Sequence, residues 1–224
     1  ESKAKEIVEE FLNYAEKEKI FPKGVEKADY RERFVKSYPF QPEVIDVLYK
    51  RWGSFPSFQR TRGVLRLLSL VVYSLKDAKI PFIRLCDIDL RNNDIRRELV
   101  NHIGHEFDSV IAQDITSSDA GAKKVDKGLG ASYLPYAFGT RVATTIFMYS
   151  FSGGPEKGCS VNEIKMSSAE IDTPSSIVVE AISKLEENLF YLQYDGRYYF
   201  SNEPNLNRIL LTKMDGINES VLLE

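Results

Sequence analysis

An Asp195-Gly196 pair stands between two aromatic runs, residues 190–194 (FYLQY) and 197–200 (RYYF). Aspartate and glycine both tolerate the positive φ angles of a type I′ turn, and such a pair between two strand-forming runs is a strong signal for a β-hairpin. The sequence therefore predicts two short antiparallel strands joined by a type I′ turn.

Three helical patterns precede this hairpin. The first covers about 137–151, the second is short and begins after Ser160, and the third ends near Asn188. The third has apolar residues at helical spacing: Ile177, Val178, Ala181, Ile182 and Leu185. Three helices followed by a hairpin are typical of a winged helix, which we place at residues 131–203.

The rest of the chain is predicted to be helical. Residues 1–80 form a helical bundle, with helices at about 2–19 and 28–36, one from Pro42 to Gly53, and one from Arg60 to Ala78. The last has few polar faces and is predicted to be central. Residues 81–130 combine an extended segment or single strand near 81–90 with connecting helices near 93–102, 106–113 and from a cap at Thr116 to about Lys127. Residues 204–224 are a C-terminal tail. The fold class is mainly α with a small β-hairpin.

Composition excludes several kinds of protein. The longest apolar run, residues 67–73 (LLSLVVY), is too short for a bilayer span, so no membrane partner is expected. Cys86 and Cys159 lack metal-ligand spacing and favour a reducing, cytoplasmic compartment. A net charge of -3 gives no overall attraction to nucleic acid. The chain has no initiator methionine and opens on a helical pattern, so we expect a piece of a longer protein.

Two motifs partly match the patterns of catalytic or metal sites. Residues 153–160 (GGPEKGCS) come nearest to a phosphate-binding loop, but Cys159 stands where the loop needs lysine, so a plain turn is predicted. Glu98 and His102 have the i, i+4 spacing of helical metal ligands, and His105 follows. No third ligand stands nearby in a familiar pattern, so surface or capping histidines are favoured. We assign no metal and no catalytic residue.

The third helix of the predicted winged helix has poor chemistry for duplex DNA. Between residues 175 and 188 it carries one basic residue, Lys184, against three glutamates, which a phosphate backbone would repel. The wing adds Arg197, and Lys165 lies on the helix before. These three residues are candidates for contact with nucleic acid or a partner; packing against another protein is the favoured use, and DNA stays possible.

Three arginines begin the long helix of the first region: Arg60, Arg62 and Arg66. Arg62 and Arg66 share a face of the helix, and Arg60 points away. Cations at a helix N-terminus oppose the macrodipole, which favours anions there. Either an anion sits nearby or the arginines form a solvated face paired with carboxylates, and spacing alone leaves both open.

Several stretches resemble the P-loop ATPase family catalogued as domain of unknown function 499. The resemblance is most specific in residues 37–54 (SYPFQPEVIDVLYKRWGS) and 58–68 (FQRTRGVLRLL). It continues through residues 95–99 (IRREL), 107–111 (FDSVI), 143–152 (ATTIFMYSFS) and 202–207 (NEPNLN). The family is similar to AAA+-type ATPases and is often associated with DNA-modification and anti-phage gene clusters.

The resemblance implies that this chain is a non-catalytic portion of such an ATPase. Its first four helices would be the helical lid, and its arginine cluster resembles the second sensor motif of that lid. Arg62 is then the candidate for a γ-phosphate contact. Arg66 and, less favoured, Arg60 are alternatives, because the small residue usual before the arginine is only partly matched by Thr61.

The same resemblance implies the cofactors and partners. ATP and magnesium would belong to the parent protein, whose missing N-terminal ATPase core is the first partner. A further protein, or DNA, would receive the signal. The alternative is a stand-alone winged-helix DNA-binding regulator or an interaction scaffold.

Overall fold

The computed structural model describes residues 2–21, 24–206 and 209–210, so most of the predicted tail (204–224) lies outside the described residues. The helices are α1 (Ser2–Lys17), α2 (Lys27–Ser37), α3 (Pro42–Asp46), α4 (Thr61–Ser74), α5 (Asn93–Ile103), α6 (Phe107–Val110), α7 (Gly121–Gly128), α8 (Phe138–Tyr149), α9 (Val161–Ser168) and α10 (Ser176–Asn188). The strands are β1 (Leu192–Tyr194) and β2 (Tyr198–Phe200), paired antiparallel. The predicted mainly helical fold with a small hairpin is confirmed.

The helix predicted from Pro42 to Gly53 is present but not uniform. Pro42 occupies its first turn, where a missing N–H costs nothing. After α3 the backbone widens into a π-helical turn, Val47–Arg51, and then tightens into a 3-10 turn, Trp52–Ser54. Turns of the π type often mark functional positions.

Helix α4 is shorter than predicted and is not a central helix. Val64, Leu67 and Val71 are buried on one face, but Leu65 is 62% exposed and Tyr73 70% exposed on the other. The prediction counted the apolar residues of this helix as a single buried stripe and was wrong about its outer face.

The backbone immediately before α4 is strained. Gln59 and Arg60 both have positive φ, 56° and 41°, a region that non-glycine residues rarely occupy. Gly63 then packs so closely on the turn that a Cβ atom there would lie 1.9 Å from the carbonyl oxygen of Phe58. Only glycine at position 63 allows the Phe58 carbonyl to lie this close to the first turn of α4.

The connector differs from its prediction in two places. Ile83 forms one parallel bridge with Phe40, but the chain then turns through a 3-10 helix, Leu85–Asp87, instead of continuing as a strand. Thr116 does not cap α7: it ends a π-helical turn that continues α6, and α7 begins later, after Ala120. The apolar side chains of this segment decide where its helices end, because burying them outweighs the local capping signal.

The C-terminal helices follow their predictions closely. Ser160 caps α9 and forms a capping box with Glu163, and α10 buries the five apolar residues predicted for it. The hairpin pairs Leu192 with Phe200 and Tyr194 with Tyr198. The arrangement is consistent with a winged helix.

The turn of the hairpin is not of type I′. Three residues, 195–197, connect the paired Tyr194 and Tyr198, and only Gly196 among them has positive φ, at 72°. A type I′ turn needs two such residues. The longer loop leaves the hairpin intact and requires the left-handed conformation only at the glycine.

The predicted regions 1–80, 81–130 and 131–203 share one continuous hydrophobic core. Polar contacts also join distant parts of the chain. The indole N–H of Trp52 donates to the Met148 carbonyl over 2.9 Å, and Tyr14 Oη donates to the Thr173 carbonyl over 3.0 Å. Buried Asp114 in the connector accepts the amides of Phe190 and Tyr191 just before the hairpin. The C-terminal module is therefore packed onto the first region over a wide surface.

A buried charge cluster reinforces this packing. Arg84 is 1% exposed, and its guanidinium reaches Asp87 (Nε–Oδ2 3.1 Å) and Glu170 (Nη2–Oε1 2.8 Å). Arg141 pairs with the same Glu170 over 2.7 Å. Charges this deep are tolerated because each has a partner of opposite sign.

Candidate anion site at the start of helix α4

A small polar pocket lies where the strained turn before α4 meets α5. Its volume is about 250 Å³. It is lined by Ser57, Phe58, Gln59, Arg62, Gly63, Arg66, Glu98, Asn101 and His102. Two of the three arginines predicted as sensors therefore face a common space, while Arg60 is not part of the lining.

The two arginines of this pocket differ in how they are neutralised. Arg66 Nη2 lies 3.1 Å from Glu98 Oε2 and forms an ion pair. Arg62 is exposed and forms no ion pair with any residue that the structure describes. The pocket thus contains one compensated guanidinium and one free to meet an added anion.

Among the described residues that line the pocket, Glu98 is the only carboxylate, and it already has a cationic partner in Arg66. One of its oxygens faces Arg66, and the other lies 3.7 Å from His102 Nε2. The His102 ring is held by Ser57, whose Oγ lies 2.8 Å from Nδ1, and by an edge contact with Phe58 at 5.0 Å between centroids. Among the described residues, Glu98 forms an ion pair with Arg66 and none with Arg62.

The start of α4 adds to the anion-binding character of the pocket. Arg60 occupies the N-cap position, and its side chain accepts no hydrogen bond from the helix. The first amides of a helix and its macrodipole favour a negative charge. A free guanidinium, Gln59, Asn101 and a helix N-terminus together suit a phosphate group.

The geometry does not build a metal centre around the histidines. Glu98 and His102 do approach each other, as their spacing predicts. His105, however, is exposed and lines a different pocket, beside Arg96 and Asp108. Within residues 2–21, 24–206 and 209–210, no group of three His, Cys, Asp or Glu side chains could hold a metal ion.

The basic residues of the C-terminal module that are predicted to contact nucleic acid or a partner are less accessible than Arg62. Arg197 is half-buried and pairs with Glu163, with 2.7 Å between Nη2 and Oε2; the same Nη2 donates to the Gly158 carbonyl over 3.1 Å. Lys165 and Lys184 are partly buried. The outward glutamates of α10, Glu180, Glu186 and Glu187, are exposed.

The glycine-rich stretch 153–160 is a structural loop between α8 and α9. Gly158 has φ of 74°, and a Cβ atom there would lie 2.5 Å from the Tyr198 carbonyl. The Gly158 carbonyl accepts a hydrogen bond from Arg51 Nη1 over 2.8 Å. The loop holds the hairpin and the first region together, as expected of a turn.

Sequence reasoning missed part of the candidate site. Nothing in the sequence singled out Ser57, Gln59 or Asn101, which enter the pocket only because α5 packs beside the turn. The helical spacing of Glu98 and His102 places both on one face of α5 but indicates metal ligands rather than neighbours of the arginines. Their observed use is to engage Arg66 and Ser57.

Comparison with known proteins identifies one family. The family described as DUF499 second domain matches residues 1–200. No curated protein and no solved structure shows significant similarity to the chain. In the described part of the chain, no helix combines the length and the apolar character needed to cross a membrane.

Proposed function

The chain belongs to the DUF499 family, and from that premise we propose that it is the non-catalytic, nucleotide-sensing portion of a P-loop ATPase. Another part of the parent protein would supply the core that holds ATP and magnesium. This chain would supply the helical lid and a winged helix, and would pass the nucleotide state to a partner. Two buried, free cysteines fit a reducing, cytoplasmic setting.

The observation that carries the proposal is the free guanidinium of Arg62. It is exposed at a helix start, in a pocket where Glu98, the only carboxylate among the described lining residues, is paired with Arg66. An arginine is well suited to read a γ-phosphate, because its charge-assisted hydrogen bonds exist only while that phosphate is present. Loss of the phosphate would leave the guanidinium without its partner and shift the lid toward another position.

The outer face of α4 supports contact with a further domain. Leu65, Val72 and Tyr73 are 62%, 46% and 70% exposed and lie along this face together with Arg62 and Arg66. No acidic residue occurs in α4. A lid with such an apolar and basic face could pack it against an ATPase core that binds the triphosphate of ATP.

The exposed chemistry of α10 favours a protein as the receiving partner. Its outward glutamates would be repelled by a phosphate backbone, and Arg197 at the wing is already paired with Glu163. A role in DNA modification or defence against phage is part of the proposal through the family resemblance, and DNA contact would then come from other parts of the assembly.

The test uses the parent protein with its ATPase core. Arg62→Gln should lower the rate of ATP hydrolysis at least about tenfold, since removing one positioned donor from a developing charge commonly costs more than that. Arg66→Gln should have a smaller effect because Arg66 is shared with Glu98. The matched control is Arg97→Gln, an exposed arginine whose ion pair with Asp94 stays within α5. Equal rates for Arg62→Gln and Arg97→Gln would refute the sensing role.

The isolated chain gives a second test. It should show no ATP turnover, because its glycine-rich loop lacks the lysine that reaches the phosphates. ATP hydrolysis by the purified chain that is reproduced in independent purifications would contradict the proposal.

The alternative, a stand-alone winged-helix DNA-binding regulator, makes an opposite prediction. It requires a shift of duplex DNA by this chain whose affinity falls steeply with salt, since each phosphate contact releases counterions. A scaffold would depend on neither DNA nor nucleotide. Salt-dependent binding that Arg197→Gln weakens would favour the regulator over the lid.

A further inference from the structure

A second and larger cavity lies on another part of the molecule, between the first region and the C-terminal module. Its volume is about 630 Å³, within the range of small-molecule sites. Tyr30, Glu43 and Arg51 contribute from the first region, and Tyr149, Lys157 and Arg197 from the C-terminal module. Two of these, Tyr30 and Tyr149, are 1% and 4% exposed, so the cavity has a buried aromatic component.

Most charged side chains around this cavity neutralise one another. Arg33 and Lys50 both reach Asp46, at 2.5 and 3.2 Å. Arg197 pairs with Glu163 at 2.7 Å, and Arg51 Nε lies 3.5 Å from Glu156. These seven residues are paired with each other and leave little charge for a ligand.

Two charged groups of the lining stand apart from these pairs. Glu43 and Lys157 have no oppositely charged group within 4.0 Å among the residues that the structure describes. Glu43 Oε2 accepts a hydrogen bond from Tyr30 Oη over 2.7 Å. The Lys157 ammonium lies over the Tyr199 ring, 3.8 Å from its centroid, and is exposed. Among the described residues of the lining, the cavity therefore presents one carboxyl group and one ammonium group without an ion-pair partner.

The surroundings of Glu43 disfavour its ionised form, so a nearby positive charge would stabilise it. Burial raises its pKa to about 7, against the Tyr30 hydrogen bond and Arg33, which lower it, while Asp46 raises it further. Tyr149 is also close enough for Glu43 to raise the pKa of its hydroxyl. A carboxylate accepts up to about four hydrogen bonds, so it has capacity for a donor beyond Tyr30.

We propose that this cavity binds a small zwitterion of the amino-acid type, whose ammonium group pairs with Glu43 and whose carboxylate meets Lys157. A ligand with no net charge satisfies both isolated groups without disturbing the pairs around them. The buried rings of Tyr30 and Tyr149 cover the part of the molecule between its charged ends. A metal ion is a poor alternative, because in the described part of the chain no group of three His, Cys, Asp or Glu side chains could hold one.

The experiment is calorimetric titration of the purified chain at about pH 8, where the Glu43 carboxyl is ionised. The probes are glycine, 4-aminobutyrate, 6-aminohexanoate and 8-aminooctanoate, which separate ammonium and carboxylate by increasing lengths. Butylamine and butyrate, each with one charged end, are the comparison. We expect one zwitterion to bind with one molecule per chain, at least about tenfold tighter than either singly charged compound.

Two variants assign the ends of the ligand. Glu43→Gln keeps the shape and the acceptor for Tyr30 but removes the charge, and Lys157→Gln removes the opposite charge at an exposed position. Each should weaken binding at least about tenfold. Glu187→Gln and Lys124→Gln, which change the same residue types at exposed positions outside the cavity, should leave binding unchanged.

Several results would overturn the proposal. They are absence of binding by every zwitterion up to about 10 mM, butylamine or butyrate binding as tightly as the best zwitterion, and binding that persists in Lys157→Gln. If Glu43→Gln fails to fold by circular dichroism, Lys157→Gln alone decides. None of these results depends on Arg62 or on ATP, so the sensing role stands or falls separately.

Discussion

Replacing Glu43 by glutamine should change how the stability of the protein depends on pH. Burial raises the pKa of Glu43 from 4.5 to about 7, and one pKa unit corresponds to about 1.4 kcal/mol. The folded protein thus binds a proton at Glu43 more tightly than the unfolded chain does, by about 3 kcal/mol in free energy. Glutamine resembles the protonated acid in shape and charge and cannot ionise.

The sign of the effect follows from proton linkage. Between pH 4.5 and about 7 the folded state holds the Glu43 proton and the unfolded state has lost it. The free energy of unfolding of the wild-type chain therefore falls as pH rises. Below this window the contribution is fully present, and above it the loss is complete. Relative to the wild-type chain, the free energy of unfolding of Glu43→Gln should therefore increase by up to about 3 kcal/mol as the pH is raised from about 4.5 to 8.

The assay is urea unfolding of both proteins at several pH values, followed by circular dichroism. The difference between their unfolding free energies is the quantity to plot, because groups common to both cancel. Asp114 is the important one, since burial raises its pKa to about 6 and would otherwise give a slope of the same sign. A difference that stays constant from pH 5 to pH 8 would refute the reasoning.

Three further substitutions test the packing. Gly63→Ala should destabilise the chain by about 2 kcal/mol or more, because its Cβ would overlap the Phe58 carbonyl; Gly128→Ala, where a Cβ meets nothing within 4 Å, should change the unfolding free energy by less than about 1 kcal/mol. Arg84→Met should cost about 3 kcal/mol, because it removes the buried guanidinium from Asp87 and Glu170 and leaves them to share Arg141, and wild-type thermal stability would contradict this. Trp52→Phe removes an indole donor from a buried carbonyl and should cost about 1–3 kcal/mol in chemical denaturation; a loss confined to residues 1–80 in hydrogen exchange would argue against a shared core.

The C-terminal helices were predictable because their signals are local. Ser160 and Glu163 lie three residues apart and cap α9 within one turn. The apolar spacing of α10 corresponds to its buried face. The hairpin also follows from neighbouring residues, although Gly196 alone, and not Asp195, adopts the left-handed conformation.

The outer face of α4 could not be predicted from the same kind of pattern. Hydrophobic spacing does not say whether a second face is covered by the chain itself or left open, so Leu65 and Val72, which the spacing predicts to be buried, are exposed instead. The alternating charged and apolar residues near Arg84 predict an extended segment, because the sequence pattern does not show which distant residues pair with the charges. Their partners, Glu170 above all, come from a distant part of the chain.

Within the candidate site, sequence located the arginines but could not rank them. Arg62 and Arg66 share a helix face and look equivalent by spacing. Glu98, supplied by α5, separates them by pairing with Arg66 alone. That contact depends on how two helices pack, which no local pattern records.

The turn that presents Arg62 also holds the C-terminal module. Ser54 Oγ accepts the Gly153 amide over 2.8 Å, and Trp52 reaches the Met148 carbonyl. The Phe58 ring packs between Trp52 and His102. Because close-packed interiors deform little, a shift of the α4 N-terminus would have to move or break these contacts. In the proposed lid, a γ-phosphate at Arg62 would therefore act on the C-terminal module directly through its packing, without a flexible linker between them.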